Sequence, residues 1–160
     1  MRPLLLINAV AVVAGIWQGT CQGAAGGEFT INLKLQAGQR EQTAASGNPA
    51  STHPVFPAKV KEVVSVQWSV VNGAPGVILS NVTMHAFMDR VPASVNPSKP
   101  GPKALYESAL ILDFDPGAKS SGEFRMPMPE SGTYLVRVET IGAAKKLGKE
   151  VAVTMQVSVQ

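Results

Sequence analysis

Two histidines, His53 and His85, and five methionines beyond Met1, namely Met84, Met88, Met126, Met128 and Met155, are the side chains of this chain best suited to chemistry. Thioethers are soft donors that suit Cu(I), and imidazole suits Cu(II), so a copper-binding carrier using Met and His is one function these residues allow. The tightest group, Met84-His85-x-x-Met88, does not converge in a strand. Side chains alternate there, and His85 points away from Met84 and Met88. Met126 and Met128 do share a face, and together with His85 or His53 they form the candidate metal set. The competing role for the methionines is to fill an irregular core, which flexible thioether side chains do well.

Other chemistry is poorly supplied. Nucleophilic hydrolysis needs Ser or Cys, His and a carboxylate brought together. No Gly-x-Ser-x-Gly elbow is present, and His53 sits in a stretch full of prolines. Asp113 and Asp115 flank Phe114 beside a turn, but an all-oxygen calcium site wants more ligands than that pair offers. The reading is therefore a non-enzyme with no catalytic residue and no cofactor. The net charge is +3, and apart from Lys145-Lys146 the basic residues are dispersed, as at Arg90, Arg125 and Arg137. A nucleic-acid surface would present a basic stripe with interleaved aromatics, so nucleic acid is excluded as a partner. Asn81-Val-Thr83 matches the N-glycosylation sequon, a pattern short enough to arise by chance.

The start of the chain carries an address. Arg2 supplies a positive charge, Leu4 to Ile16 is apolar apart from Asn8 and Gly15, and Gln18 to Gly27 is small and polar. Residues 1–25 read as a secretory signal peptide. A membrane-spanning helix needs roughly 20 apolar residues, more than this run holds. The expected location is periplasmic or extracellular, with no stable membrane span after cleavage. Cys21 is the only cysteine. Gln18, Gly19 and Thr20 before it match a bacterial lipobox poorly, so Cys21 is expected to leave with the signal, the alternative being a lipoprotein anchored through it. Stability then rests on the apolar core, without disulfides.

Hydrophobic residues make up 45% of the chain and charged ones 16%, a globular balance. What must position the candidate residues is a series of strands. Glu28 to Gln36 alternates, with Phe29, Ile31, Leu33 and Leu35 on one face. Ala37 to Pro57 lacks apolar periodicity and reads as a long loop. It is either a crossover, or it precedes a core that starts near Val55 with the first strand paired onto its edge. In Val60 to Asn72, Val64, Val66, Trp68 and Val70 share a face, which sends Trp68 into the core as a structural residue. Asn72 to Gly76 is a turn. Val77 to Asp89 is apolar on both sides, as in a central strand or one with a covered face. Val91 to Lys103 is a proline-rich loop, and Ala104 to Phe114, Lys119 to Met128 and Glu150 to Gln160 are further strands. Pro129 to Ile141 is a turn running into a strand, with Tyr134, Val136 and Val138 inward and Arg137 and Glu139 on the expected solvated face.

Seven strands make a two-layer antiparallel sandwich the economical architecture. The division is 1–25 signal peptide, 26–59 N-terminal strand plus a Pro/Gly/Ser-rich loop, and 60–160 sandwich core, close to the usual size of roughly 100 residues. Gly132-Thr-Tyr134 entering an alternating strand has the form of a tyrosine corner, which makes Tyr134 the second structural residue. The succession Val66-Gln-Trp-Ser-Val-Val-Asn72, Asn81-Val-Thr-Met-His-Ala-Phe-Met-Asp89, Asp115-Pro-Gly117 and Pro129-Glu-Ser-Gly-Thr-Tyr-Leu-Val-Arg-Val-Glu-Thr140 resembles the immunoglobulin-like modules of bacterial exported proteins, in particular the adhesion-related CARDB type. The resemblance covers about 60% of the chain, in strand order and turn positions. It implies an all-β, Greek-key immunoglobulin-like sandwich that binds a protein or cell-envelope component. By fold logic the binding residues belong in the end loops Asn72–Gly76, Val91–Lys103 and Gly142–Lys149. The alternative is a periplasmic copper carrier using Met126, Met128 and His85 or His53.

Overall fold

A computed structural model describes residues 29–46, 53–91, 104–143 and 150–160. The signal peptide, Cys21 and most of the second and third end loops lie outside these residues. Period-two alternation becomes strand wherever one face can be buried, and nine strands result among the described residues. They are β1 (Phe29–Ala37), β2 (Arg40–Ala45), β3 (Val55–Ala58), β4 (Val63–Asn72), β5 (Leu79–Arg90), β6 (Tyr106–Phe114), β7 (Lys119–Pro127), β8 (Gly132–Ile141) and β9 (Ala152–Val159). One sheet has the order β2-β1-β4-β7 and the other β3-β9-β8-β5-β6. All pairings are antiparallel except β3 with β9, which run parallel from Val55↔Gln156 to Ala58↔Val159. Successive strands cross between the two layers at β2–β3, β3–β4, β4–β5, β6–β7 and β7–β8, giving the Greek-key, immunoglobulin-like sandwich.

The inner faces make one core. Ile31, Leu33 and Leu35 of β1, Val64, Val66 and Val70 of β4, Val136 and Val138 of β8 and Met155 and Val157 of β9 are fully buried within it. Phe29 meets Phe114 edge-on at 5.3 Å between ring centroids. At the side of the sandwich where β6 and β7 end their sheets, Tyr106 stacks on Phe124 at 3.7 Å.

The segment 37–57, expected as a loop, differs. It holds β2 and most of β3, and β1 lies inside its sheet between β2 and β4 instead of at an edge. The β1–β2 hairpin turns at Gly38, and its register runs from Ala37↔Arg40 to Asn32↔Ala45. Within β2 only Ala44 is buried, so no apolar period marks the strand. β3 has four residues and includes Pro57, which an edge strand tolerates because its outward side needs no ladder donor.

Arg40 and Glu62 tie the hairpin to the β3–β4 turn. The Arg40 guanidinium pairs with the Glu62 carboxylate and donates to Pro57 O at 2.6 Å, and Lys59 N donates to Glu62 Oε2 at 2.9 Å. The bond from Arg40, then that from the Lys59 amide, hold the Glu62 carboxyl below its ordinary 4.5 against a smaller upward push from burial. A carboxyl depressed on folding stabilises the fold above its unfolded value, and that contribution is lost as pH falls through the folded one. Glu62→Gln is expected to lower stability modestly at neutral pH and to match the parent once the carboxyl is protonated, flattening part of the acid limb of the stability curve. Thermal melts taken from neutrality down through the carboxylate range measure it.

The β7–β8 corner is closed by Tyr134. Its ring is fully buried, and its hydroxyl donates to Glu130 O at 2.8 Å, the geometry of a tyrosine corner. Gly132 opens β8 at φ +145, and a Cβ there would stand 3.0 Å from Arg90 Nε. The Arg90 guanidinium pairs with Glu130 and donates to Ser131 O at 3.0 Å, so the corner is gripped from the end of β5. Tyr134→Phe keeps the ring and deletes one bond to a partly buried carbonyl. Its expected cost is about 1 kcal/mol, read as a melting point lowered by several degrees.

Candidate functional site

The two sheets present different outward faces. On the four-stranded sheet it is a polar grid in which Ser65 donates to Glu123 Oε1 at 2.9 Å, Arg125 Nε donates to the same atom at 3.0 Å, and Gln67 reaches Glu123 Oε2. Burial pushes the Glu123 carboxyl up, but these bonds outweigh it and keep it below the ordinary value. This is a solvated sheet face of the ordinary kind.

The outward face of the five-stranded sheet is built otherwise. Register sets it in rows across β6, β5, β8 and β9. Thr83 stands between Ile111 and Ile141, His85 between Ala109 and Glu139, and Phe87 between Glu107 and Arg137, with Thr154 beyond Arg137. Ile111 is 72% exposed and Ile141 52%, whereas Phe87 and Leu135 on the same face are buried.

An ordered polar chain crosses the middle rows. His85 Nδ1 lies 3.1 Å from Glu139 Oε1, and His85 Nε2 lies 3.0 Å from Glu107 Oε1. Arg137 Nε donates to Glu139 Oε2 at 2.7 Å, and its Nη1 donates to Thr154 Oγ1 at 3.1 Å. The His85 ring also meets Phe87 at 5.2 Å. Arg137 and Glu139, expected on a solvated face, are half-buried, because cross-strand neighbours on β5 and β9 enclose them. Each nitrogen of the His85 ring thus has its own carboxylate partner. The chain therefore cross-links β6, β5, β8 and β9. No sequence signal pairs Glu107 with His85, since 22 residues and a strand register separate them.

The candidate metal residues do not come together. His85 faces outward from the five-stranded sheet, Met84 and Met88 face the core, and Met126 belongs to β7 in the opposite sheet. Met128 follows β7 and is fully buried. His53 precedes β3, with β9 and β8 between that strand and β5. Glu107 and Glu139 flank the His85 ring at opposite nitrogens and do not converge on one point. Among the described residues no group of three or more His, Cys, Asp or Glu is arranged to hold a metal ion.

Of the three end loops, Asn72–Gly76 is described; Asn72 and Ala74 are buried, while Gly73, Pro75 and Gly76 are exposed. Asn72 is fully buried, and its Nδ2 faces Val77 O at 2.7 Å, Phe114 O at 3.2 Å and Asp115 O at 3.2 Å. Its Oδ1 accepts from Ala74 N at 3.2 Å, and its backbone carbonyl accepts from Gly117 N at 2.7 Å. The residue read as a turn signal is a staple between the β4–β5 and β6–β7 turns. Residues 92–103 and 144–149 lie outside the described residues.

No protein-family model matches the sequence, and no curated protein matches it. Solved structures do. The crystal structure of a CARDB domain from Pyrococcus furiosus, in complex with di-metal ions, is 11% identical with a TM-score of 0.50, covering 86% of this chain and 95% of that one. The solution structure of a CARDB domain from the same organism has a TM-score of 0.49 at 11% identity, covering 82% and 96%. The C-terminal domain of wzt has a TM-score of 0.44 at 12% identity, covering 84% and 74%. At such identities the likeness is one of fold alone, and the fold is the CARDB-type, immunoglobulin-like sandwich.

Proposed function

We propose that this chain is an exported, non-enzymatic recognition module that binds a protein of the cell envelope or surroundings. The outward face of the five-stranded sheet supports the reading best. There Ile111, the most exposed large apolar residue among the described ones, and Ile141 stand in the open beside an ordered chain of charges. An apolar patch rimmed by polar side chains is the usual composition of a protein-binding surface. The end loops at 92–103 and 144–149 adjoin the ends of this sheet's strands in sequence and extend the same reading. Export rests on the signal-like segment 1–25. Among the described residues no helix is long and apolar enough to cross a membrane.

The test is site-specific photo-crosslinking in envelope fractions of the source cells, with the crosslinker at Ile111 or, as control, at Ser121 on the outward face of the other sheet. Adducts to a discrete protein from position 111 and none from 121 are expected. Equal labelling from both positions, or none from either, would remove the reading.

The metal-carrier alternative has one observation in its favour, the di-metal complex of the Pyrococcus furiosus domain. Titration of the purified domain with Cu(I) and Cu(II) under competition separates the two. Binding tighter than micromolar, abolished by His85→Ala, would favour the carrier.

A further inference from the structure

The strand β6 ends its sheet and hydrogen-bonds only to β5, so one row of its backbone donors and acceptors has no strand beside it among the described residues. In its middle Ala109, Leu110 and Ile111 are all exposed, three consecutive apolar residues with Leu110 at 47% and Ile111 at 72%. A strand with one face on a core should expose every second residue; here the inward-facing Leu110 also reaches past the core. Proteins normally blunt such an edge with Lys, Pro or a covering element, because a bare apolar edge templates the addition of another strand. β6 carries no Lys and no Pro.

The charges on β6 say what would fit. Glu107, Ala109, Ile111 and Asp113 share its outward face, and both acids are exposed. Asp113 is held in place, its Oδ1 accepting from Asn81 N at 2.8 Å where Asn81 sits at φ +55 in a bulge of β5. Glu107 is held by His85. The outward face thus reads acid, apolar, apolar, acid. A second copy of this chain is a poor match. The antiparallel register that lays Ala109–Ile111 on itself, centred on Leu110, sets Glu107 opposite the copy's Asp113 at both ends, and like charges directly opposite are destabilising.

We propose that β6 is a docking edge for an extended segment of a partner protein that carries basic residues on either side of an apolar centre and adds to the sheet as a sixth strand. Main-chain bonds along the free edge supply the attachment, and the alternating side chains supply the choice. The two basic side chains meet Glu107 and Asp113, two apolar ones cover Ala109 and Ile111, and an apolar residue between them covers Leu110. This deepens the recognition reading and rests on it.

The probes are two capped heptapeptides, Lys-Thr-Val-Val-Val-Thr-Lys and its counterpart with Glu at both ends, titrated into the purified domain and followed by backbone amide shifts and affinity. The Lys-flanked peptide is expected to shift the amides of β6 and to bind about 3- to 10-fold more tightly than the Glu-flanked one, the range that two cross-strand charge pairs supply. In Glu107→Lys/Asp113→Lys the preference should invert, with circular dichroism confirming the fold. Equal affinities, shifts centred away from β6, no binding of either peptide, or a concentration-dependent dimer that places β6 against β6 would each overturn the proposal. Crosslinks from position 111 in envelope fractions, together with no binding of either peptide along β6, would sink this docking mode and leave the recognition reading standing.

Discussion

Asn72→Asp is expected to cost about 3–5 kcal/mol, a large share of the stability of the domain. The side-chain amide nitrogen at this position faces three carbonyl oxygens, those of Val77, Phe114 and Asp115, in a site with no solvent exposure. The substitution is nearly isosteric, so the change is one of hydrogen-bond polarity and charge. A carboxylate has no proton to give, and three carbonyls would surround it with negative partial charge. An uncompensated buried charge costs about 3–5 kcal/mol, against a total margin of about 5–15 kcal/mol for a domain. Protonation restores one donor. The folded carboxyl would therefore titrate above its unfolded value, so the deficit should shrink as pH falls toward the carboxylate range and be largest at neutrality. Asn72→Ala removes the donors without adding charge and should cost about 1–3 kcal/mol with little pH dependence. Urea unfolding of the two variants at neutral and mildly acidic pH measures both. An Asn72→Asp domain as stable as the parent would mean the two turns are not stapled here.

The second large effect lies at Trp68 and is written into the residue across from it. Trp68 and Gly122 are directly opposed in the β4–β7 register, and the indole lies over the glycine. A Cβ on Gly122 would stand 2.4 Å from Cζ2 and 2.6 Å from Cε2 of the ring, closer than real atoms approach. Trp68→Ala is expected to cost about 3–5 kcal/mol through lost burial and the cavity left behind. Gly122→Ala should cost about 1–3 kcal/mol, since a rigid ring between β1, β4 and β7 cannot yield as a flexible chain would. The two must not add. Once the indole is gone, the methyl group introduced at position 122 has room, so Gly122→Ala in the Trp68→Ala background should be neutral or slightly stabilising. A double-mutant cycle by urea unfolding reads this as a coupling of about 1–3 kcal/mol. Additive costs would show that the glycine is not there for the ring.

Much of this frame could be read along the chain. The alternation of Phe29, Ile31, Leu33 and Leu35 marks β1, that of Val64, Val66, Trp68 and Val70 marks β4, and Val153, Met155, Val157 and Val159 mark β9. The Gly132-Thr-Tyr134 entry marks the corner that the Tyr134 hydroxyl closes. β2 escaped because the strand buries only Ala44, and β3 because four residues with a proline show no period. The candidate site was less legible. Met126, Met128 and His85 are suggestive by residue type, yet Met126 lies in β7 of one sheet, Met128 follows that strand, and His85 lies in β5 of the other sheet. Glu107, Glu139, Arg137 and Thr154 are unremarkable in sequence, and four strands bring them together with His85 in two adjacent rows.

The division has a physical cause. Which way a side chain points along a strand is local, because successive Cβ atoms alternate across the pleat, and a chain alone settles it for every strand with one buried face. Which strands become neighbours, and in what register, depends on contacts between residues far apart in sequence, and no local period encodes it. An all-β chain, its inward residues and its corner therefore follow from the order of residues. Strand pairing had to be seen before Asn72 became a staple, Gly122 a seat for Trp68, His85 a bridge between two glutamates, and β6 a strand with one edge unpaired among the described residues.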